Sequence, residues 1–253
     1  MVIVGGTAGI GLSAALALKE QGASLAIFGR DDDFFTQATA LLGPETLLIK
    51  GDASAQNEIE SFFNHVINRF GKINALYHVA GGSGRRFGDG PLHELSLEGW
   101  NKTFEMNLTS LMLSNQMAVK QFLKQQSGGQ ILNLASVLAY SPSPHFFSTH
   151  AYAAAKSAVI GFSKSLAAYY AKDNITINVL APGLVETPMA QRAAQDPTII
   201  RFIQSKQPLD GGRIAYSEDL SQAAIYFLTS ASSFVTGQVL AVDGGWSVTE
   251  GQL

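Results

Sequence analysis

The stretch HAYAAAKSAVIGF, residues 150–162, sets a phenol and an ammonium, Tyr152 and Lys156, four positions apart with only alanines between. On a helix those side chains share a face. A free phenol is a poor base near neutral pH. An ammonium beside it favours the phenolate and is expected to pull its pKa down. The pair could then exchange a proton with an alcohol or carbonyl oxygen, and the alanines leave room for a ligand. Taken alone, the spacing favours a blander reading, a surface tyrosine beside a lysine stem. Two further residues strengthen the chemical one. Ser136 ends the apolar run QILNLAS (130–136), where its hydroxyl could orient a carbonyl. Asn107 falls inside a helical pattern, in FEMNL. Asn is a modest helix former, so it suggests a backbone or water contact, or else a satisfied core amide.

A second constellation suits phosphate. The run VIV (2–4) leads directly into GGTAGIG (5–11). Glycines there permit a turn with positive φ and let backbone amides approach a diphosphate at a helix N-terminus. Gly9, Gly11 and Ala14 fit one spacing, and Gly5, Gly9 and Gly11 another. The run ends at Val4, so the turn begins at Gly5 and the second spacing is preferred. After the next apolar run, Gly29 occupies the place where an acid would hold a ribose 2′-hydroxyl, and Arg30 follows. An arginine there accommodates a 2′-phosphate, so NADP(H) is favoured over NAD(H). Asp31 to Asp33 are expected to open the following helix, where acids suit its dipole. Asp52 is a candidate partner of the adenine amine, or a helix cap.

These residues need a frame. Strand patterns at 2–4, 25–28, 46–50, 73–79, 130–136, 176–181 and 238–242 alternate with helical patterns at about 9–21, 32–42, 55–70, 99–126, 150–171 and 217–229. Apolar strands with helical crossovers predict an α/β fold, a doubly wound, seven-stranded parallel sheet with helices on both faces. No repeat, low-complexity tract or linker divides the chain, so a single domain over 1–253 is expected. The first strand starts so near Met1 that a few leading residues are expected to be missing.

Composition narrows the partners. The net charge is −3 and no long run of like charges stands out, which argues against nucleic acid and anionic membrane. There are no cysteines, hence no disulfides or thiolate chemistry. That fits a reducing compartment, and a cytoplasmic location is expected. No apolar stretch reaches the length of a membrane span. No His, Asp and Glu grouping has metal-ligand spacing.

In this order the motifs resemble the short-chain dehydrogenase/reductases. The residues that carry the resemblance are VGGTAGIG (4–11), Gly51-Asp52, HVAG (78–81), Asn107, NLAS (133–136), Tyr152 with Lys156, NVLAPGLVET (178–187) and TGQVLAVDGGW (236–246). The resemblance implies a Rossmann-type domain that binds and catalyses, with a variable substrate lid at about 188–215. It implies direct hydride transfer between a nicotinamide and a small-molecule carbonyl or alcohol, with no metal. Tyr152 is the implied acid/base. Lys156 lowers its pKa and binds the ribose, Ser136 positions the substrate oxygen, and Asn107 holds a water that relays protons. The cofactor contacts implied are Gly5, Thr7, Gly9, Ile10 and Gly11 at the glycine turn, and Arg30, Asp52 and Ala53 towards the adenosine. Ala80 and Gly81 lie against the cofactor, and Pro182, Gly183, Val185 and Thr187 line the nicotinamide. A homotetramer or homodimer is also implied. A non-catalytic dinucleotide-binding sensor or scaffold is the alternative, and an epimerase or dehydratase on a related fold is a third.

The sequence departs from the family pattern in places. Val4 replaces a threonine that would tie down the glycine turn. His78 and Val79 replace two asparagines, with an effect expected near the adenine end and not at the catalytic four. The interval from Ser136 to Tyr152 is longer than usual, so Phe146, Phe147, His145 and His150 could line a pocket or cap the next helix. An inserted loop at 82–91 carries Arg85 and Arg86. It is expected to be a solvated tip with arginines paired to acids, in preference to a receiver for an anionic substrate or a cofactor phosphate.

Overall fold

The computed structural model describes residues 1–252; Leu253, the last residue of the expected domain, lies outside them. β1 (Val2–Val4) leads into α1 (Gly9–Glu20), β2 (Ala26–Gly29) into α2 (Asp32–Leu42), and β3 (Leu47–Lys50) into α3 (Gln56–Phe70). β4 (Ala75–His78) precedes α4 (Leu97–Phe104) and α5 (Ser110–Gln125), which a π-helical turn, Glu105–Thr109, joins without a break. β5 (Gly129–Leu134) and a 3₁₀ turn, Val137–Ala139, precede α6 (His150–Tyr170). β6 (Ile175–Pro182) precedes α7 (Gln191–Gln195) and α8 (Pro197–Lys206), and α9 (Ser221–Leu228) leads to β7 (Val239–Val242).

Side chains alternate across a strand, and here both faces find cover. Ile3, Ile27, Tyr77, Leu132 and Leu180 pack with Ala14, Leu18, Leu42 and Phe227 from α1, α2 and α9. Their neighbours Val4, Phe28, Leu76, Ile131 and Ile177 pack with Phe62, Val66, Val119 and Phe122 from α3 and α5. The strands pair in parallel in the order β3-β2-β1-β4-β5-β6-β7. This is the Rossmann-like, seven-stranded parallel sheet that the alternating pattern predicted.

The order reverses between β1 and β4. At such a point the loops leaving the carboxyl ends of two strands diverge and open a crevice. The glycine turn after Val4 and the segment after His78 meet there, so a Cβ on Gly5 would lie 2.5 Å from the Ala80 amide nitrogen.

Two expectations need correction. The helix over 99–126 begins at Leu97 and widens around Asn107 into the π-turn without a break. The fifth strand stops at Leu134 instead of Ser136, because the Ser136 hydroxyl accepts from the Leu138 amide and turns the chain. No helix among the described residues is long and apolar enough to cross a membrane.

Candidate active site

The glycine turn is fixed by backbone bonds. The Gly5 amide donates to Phe28 O at 2.7 Å, and the Val4 carbonyl accepts from Val79 and Ala80. The turn is thus held by main-chain pairing with valine at position 4. Gly5 and Gly9 have φ of +86° and +49°, and a Cβ on Gly11 would lie 2.1 Å from Gly5 O. All three glycines of the second spacing are therefore needed, whereas Ala14 belongs to the core. Ala8 precedes α1 without a side-chain cap, so the first amides of the helix face the crevice unpaired by side chains. Thr7 lies over Gly29, whose Cβ would meet Thr7 Oγ1 at 2.4 Å.

Beyond the turn, a cleft of about 570 Å³ is lined by Thr7, Gly29, Arg30, Asp52 and Ala53, among others. Arg30 Nη1 donates to Asp52 Oδ2 at 3.3 Å, and Asp52 Oδ1 accepts from the amide and hydroxyl of Ser54. Burial pushes the Asp52 carboxyl up, but Ser54 and the Arg30 guanidinium outweigh it and hold the group below its ordinary value. The three aspartates open α2, as expected, at its cap and first turn. Asp31 caps α2 through the amides of Asp33 and Phe34, and Asp32 pairs with Lys50.

A second cleft, of about 360 Å³, continues from the glycines to the chemical end. Gly5, Gly9, Ile10, Ala80 and Gly81 line one part; Ser136, Tyr152, Pro182, Gly183, Val185 and Thr187 line another. Lys156 is buried, donates through Nζ to Leu134 O at 2.8 Å, and stands 5.7 Å from the centre of the Tyr152 ring. Gly81 lies directly against Lys156 and Asn107: a Cβ there would come within 3.4 Å of Lys156 Nζ and 2.6 Å of Asn107 Oδ1. The four expected catalytic side chains therefore gather around one point.

Their electrostatics differ from expectation. Burial pushes the Tyr152 phenol up to about 12, with Ser136 acting the other way through hydrogen bonding. The expected lowering by Lys156 does not prevail, because a phenolate is costly to bury. Burial also brings Lys156 down to about 8. Asn107 is fully engaged. Its Nδ2 donates to Gly82 O and Thr103 O, and its Oδ1 accepts from the Gly82 amide.

His78 feels the charge of Lys156 and also meets Ser110 of the other cleft. It is buried, with Nδ1 bonded to Ser114 Oγ at 2.8 Å and Nε2 to Ala80 O at 3.1 Å. Burial first, then the Lys156 charge, holds it down at about 3, so it is neutral.

The loops supply what sequence reasoning missed. Asp89, in the 82–91 insertion, is buried and accepts from the amides of Ala151 and Tyr152, each at 3.0 Å. It caps the helix that carries Tyr152 and Lys156, a task that Thr149 leaves undone. The insertion is thus no solvated tip, and Arg85 and Arg86 form no ion pair among the described residues. In the 137–150 loop Phe147 lines the cleft while Phe146 packs on Phe202, and His145 and His150 do neither. Trp246, also in the cleft wall, donates to Ser141 O and holds that loop. Buried Gln207 bonds both backbone groups of Leu184 and steadies the segment after β6. Only the position of Asp89 beside a glycine and a proline hinted at any of this.

Comparison with known proteins is consistent with the geometry. A family model described as "Enoyl-(Acyl carrier protein) reductase" matches residues 5–247. The chain is 30% identical over 248 residues to 2,5-dichloro-2,5-cyclohexadiene-1,4-diol dehydrogenase of Sphingobium indicum, covering 98% of this chain and 96% of the relative. It is also 30% identical to cis-4-hydroxycyclohexanecarboxylate dehydrogenase of Sinomonas cyclohexanicum, covering 97% and 95%. Among solved structures, a short-chain type dehydrogenase/reductase from Mycobacterium ulcerans matches with a TM-score of 0.87 at 27% identity, over 99% of this chain and 90% of that one. Levodione reductase matches with a TM-score of 0.88 at 26% identity, over 97% and 96%.

Proposed function

The chain belongs to the short-chain dehydrogenase/reductase family and is an NAD(P)-dependent oxidoreductase of alcohols and ketones, and on that premise we propose that it interconverts a secondary alcohol on a six-membered ring with its ketone, preferring NADP(H). The observation that carries this reading is the convergence of Tyr152 and Ser136 in one largely apolar cleft, with Lys156 and Asn107 behind Gly81. The ring class follows from the cleft's apolar walls and from the printed names of the two relatives.

The cofactor fits the residues present. Glycines bring the backbone close at the turn, α1 offers uncapped amides, and Arg30 just past the end of β2 would receive a 2′-phosphate. Its exposed contact with Asp52 is weak enough to exchange. When bound, the nicotinamide exchanges a hydride with the substrate carbon.

The protein's own groups handle the proton. Ser136 holds the substrate oxygen. Tyr152, neutral in the free site, gives its proton to that oxygen in reduction and takes one back in oxidation. Lys156 holds the ribose, and its positive charge supports the phenolate as it forms. The carboxamide of Asn107 is taken up by Gly82 and Thr103, so the relay water assigned to it would sit at the widened π-turn. We further propose a cytoplasmic homotetramer or homodimer. Exposed Leu97 and Trp100 on α4, Tyr169 on α6 and Leu240 on β7 support an assembly.

The test is Tyr152→Phe. Turnover of a cyclic ketone panel should fall by about 10²-fold or more, while titration with NADPH gives an unchanged Kd. Residual turnover close to the parent's would end Tyr152's role as acid/base. Cofactor binding with no turnover in the parent protein would favour the sensor alternative.

A further inference from the structure

Two arginines share one acceptor at the rim of the cleft. Arg85, in the 3₁₀ turn Arg85–Phe87 after β4, donates through Nη2 to Phe146 O at 3.1 Å. Arg192, on α7, donates through Nη2 to the same oxygen at 3.2 Å. Neither forms an ion pair among the described residues. The acid beside Arg85, Asp89, has both oxygens committed to α6. Among the described residues lining the cleft of Tyr152, these two arginines are the only charged ones. Burial and the adjacent Arg192 charge hold the Arg85 guanidinium below its ordinary range, and Asp89 offsets this in part.

Bringing two cations to one neutral carbonyl costs repulsion and leaves most of their N–H donors unspent. A planar oxyanion would relieve both deficits, because guanidinium–carboxylate bonds are charge-assisted and can be bidentate. The pair also borders the neighbouring cofactor cleft. Its shared anchor, however, lies in the loop that supplies Phe147 to the substrate wall, and the diphosphate already has the glycine turn and the N-terminus of α1.

We propose that Arg85 and Arg192 form an anion subsite that selects substrates bearing a carboxylate, which takes the place of the Phe146 carbonyl as their common acceptor. This rests on the reading of the cleft as the substrate site and names the polar group that the ring substrate carries. Because Arg192 sits on α7 and Arg85 on the loop after β4, a bound carboxylate bridges the lid segment to the rim of the sheet.

Equilibrium binding tests it without turnover. The probes are cyclohexanecarboxylate and its neutral counterpart cyclohexanecarboxamide, titrated by calorimetry into protein saturated with NADP⁺. The parent protein should prefer the carboxylate by about tenfold or more. Arg85→Gln and Arg192→Gln should each remove most of that preference, and the double substitution all of it, with the Kd for NADP⁺ within about twofold of the parent. Equal affinity for the two probes, binding of neither, or a preference that survives the double substitution would overturn the subsite. A loss of NADP⁺ affinity with the preference intact would give the arginines to the cofactor phosphates and overturn it as well. Failure here leaves the Tyr152 chemistry standing, since that reading is tested by turnover.

Discussion

Tyr152 and Lys156 respond to the same burial in opposite directions, each towards its neutral form. Near neutral pH the lysine still carries its charge and the phenol its proton, which on the proposed mechanism sets the free site to donate to a carbonyl oxygen. Oxidation needs more help, from a substrate hydrogen bond and from the positive ring of the bound cofactor. Arg30 has a similarly conditional role. Its partner is Asp52, and on the proposed preference for NADP(H) a 2′-phosphate would have to displace that contact. Arg30→Ala should weaken NADPH about ten- to a hundredfold and leave NADH nearly untouched. Parallel titrations of the two reduced cofactors by fluorescence decide it, and an equal loss for both would remove the assignment to the phosphate.

α6, which carries Tyr152 and Lys156, takes its N-terminal cap from a distant loop. Ala151 and Tyr152 are the second and third residues of α6, whose amides a side chain at the N-cap normally satisfies. Asp89 supplies both bonds and places a negative charge at the positive end of the helix dipole. Asp89→Ala should cost about 1–2 kcal/mol, seen as a melting temperature lower by a few degrees in a chain of this size. It should also lower kcat, since the first turn that carries Tyr152 loses its anchor. An unchanged melting curve would mean that Thr149 or water takes over the cap. The π-turn between α4 and α5 is another feature of this scale. It inserts one residue's worth of width at Asn107, which lets the carboxamide reach Gly82 while the helix continues.

The whole molecule buries titratable groups around the switch point, and its stability should show this. Lysine in an unfolded chain titrates near 10.5, and Lys156 in the fold near 8. Between those values the unfolded chain holds a proton that the folded one has released, so raising the pH through the window stabilises the fold, by at most roughly 3 kcal/mol. Tyr152 acts with the opposite sign. Its contribution is complete below pH 10 and is lost as the pH rises towards 12. His78 gives an acid limb, with stability falling as the pH drops from 6.5 towards 3. Chemical denaturation of the parent across pH 7.5–10, beside Lys156→Met, checks the first of these. The variant should lack the rise, and identical slopes would show that Lys156 is not desolvated as described.

The sequence by itself determined the sheet and pointed to most of the residues of the candidate site. Apolar runs too short for helices and bounded by glycine favour buried strands, and the glycines after Val4 allow a tight turn against the chain's own backbone as well as a close approach to a ligand. The spacing of Tyr152 and Lys156 needs nothing beyond one helical turn. Strand ends were less legible, because Ser136 leaves the sheet through a side-chain bond that periodicity does not record. Only the tertiary structure decided the direction of the Tyr152 shift, since burial is a property of what packs around a residue and not of its neighbours in the chain. The same holds for Asp89, which meets Tyr152 across 63 positions, and for Arg85 and Arg192, which meet at Phe146 from either side in sequence. Contacts of that range follow from loop paths over the sheet edge, and no local pattern encodes them.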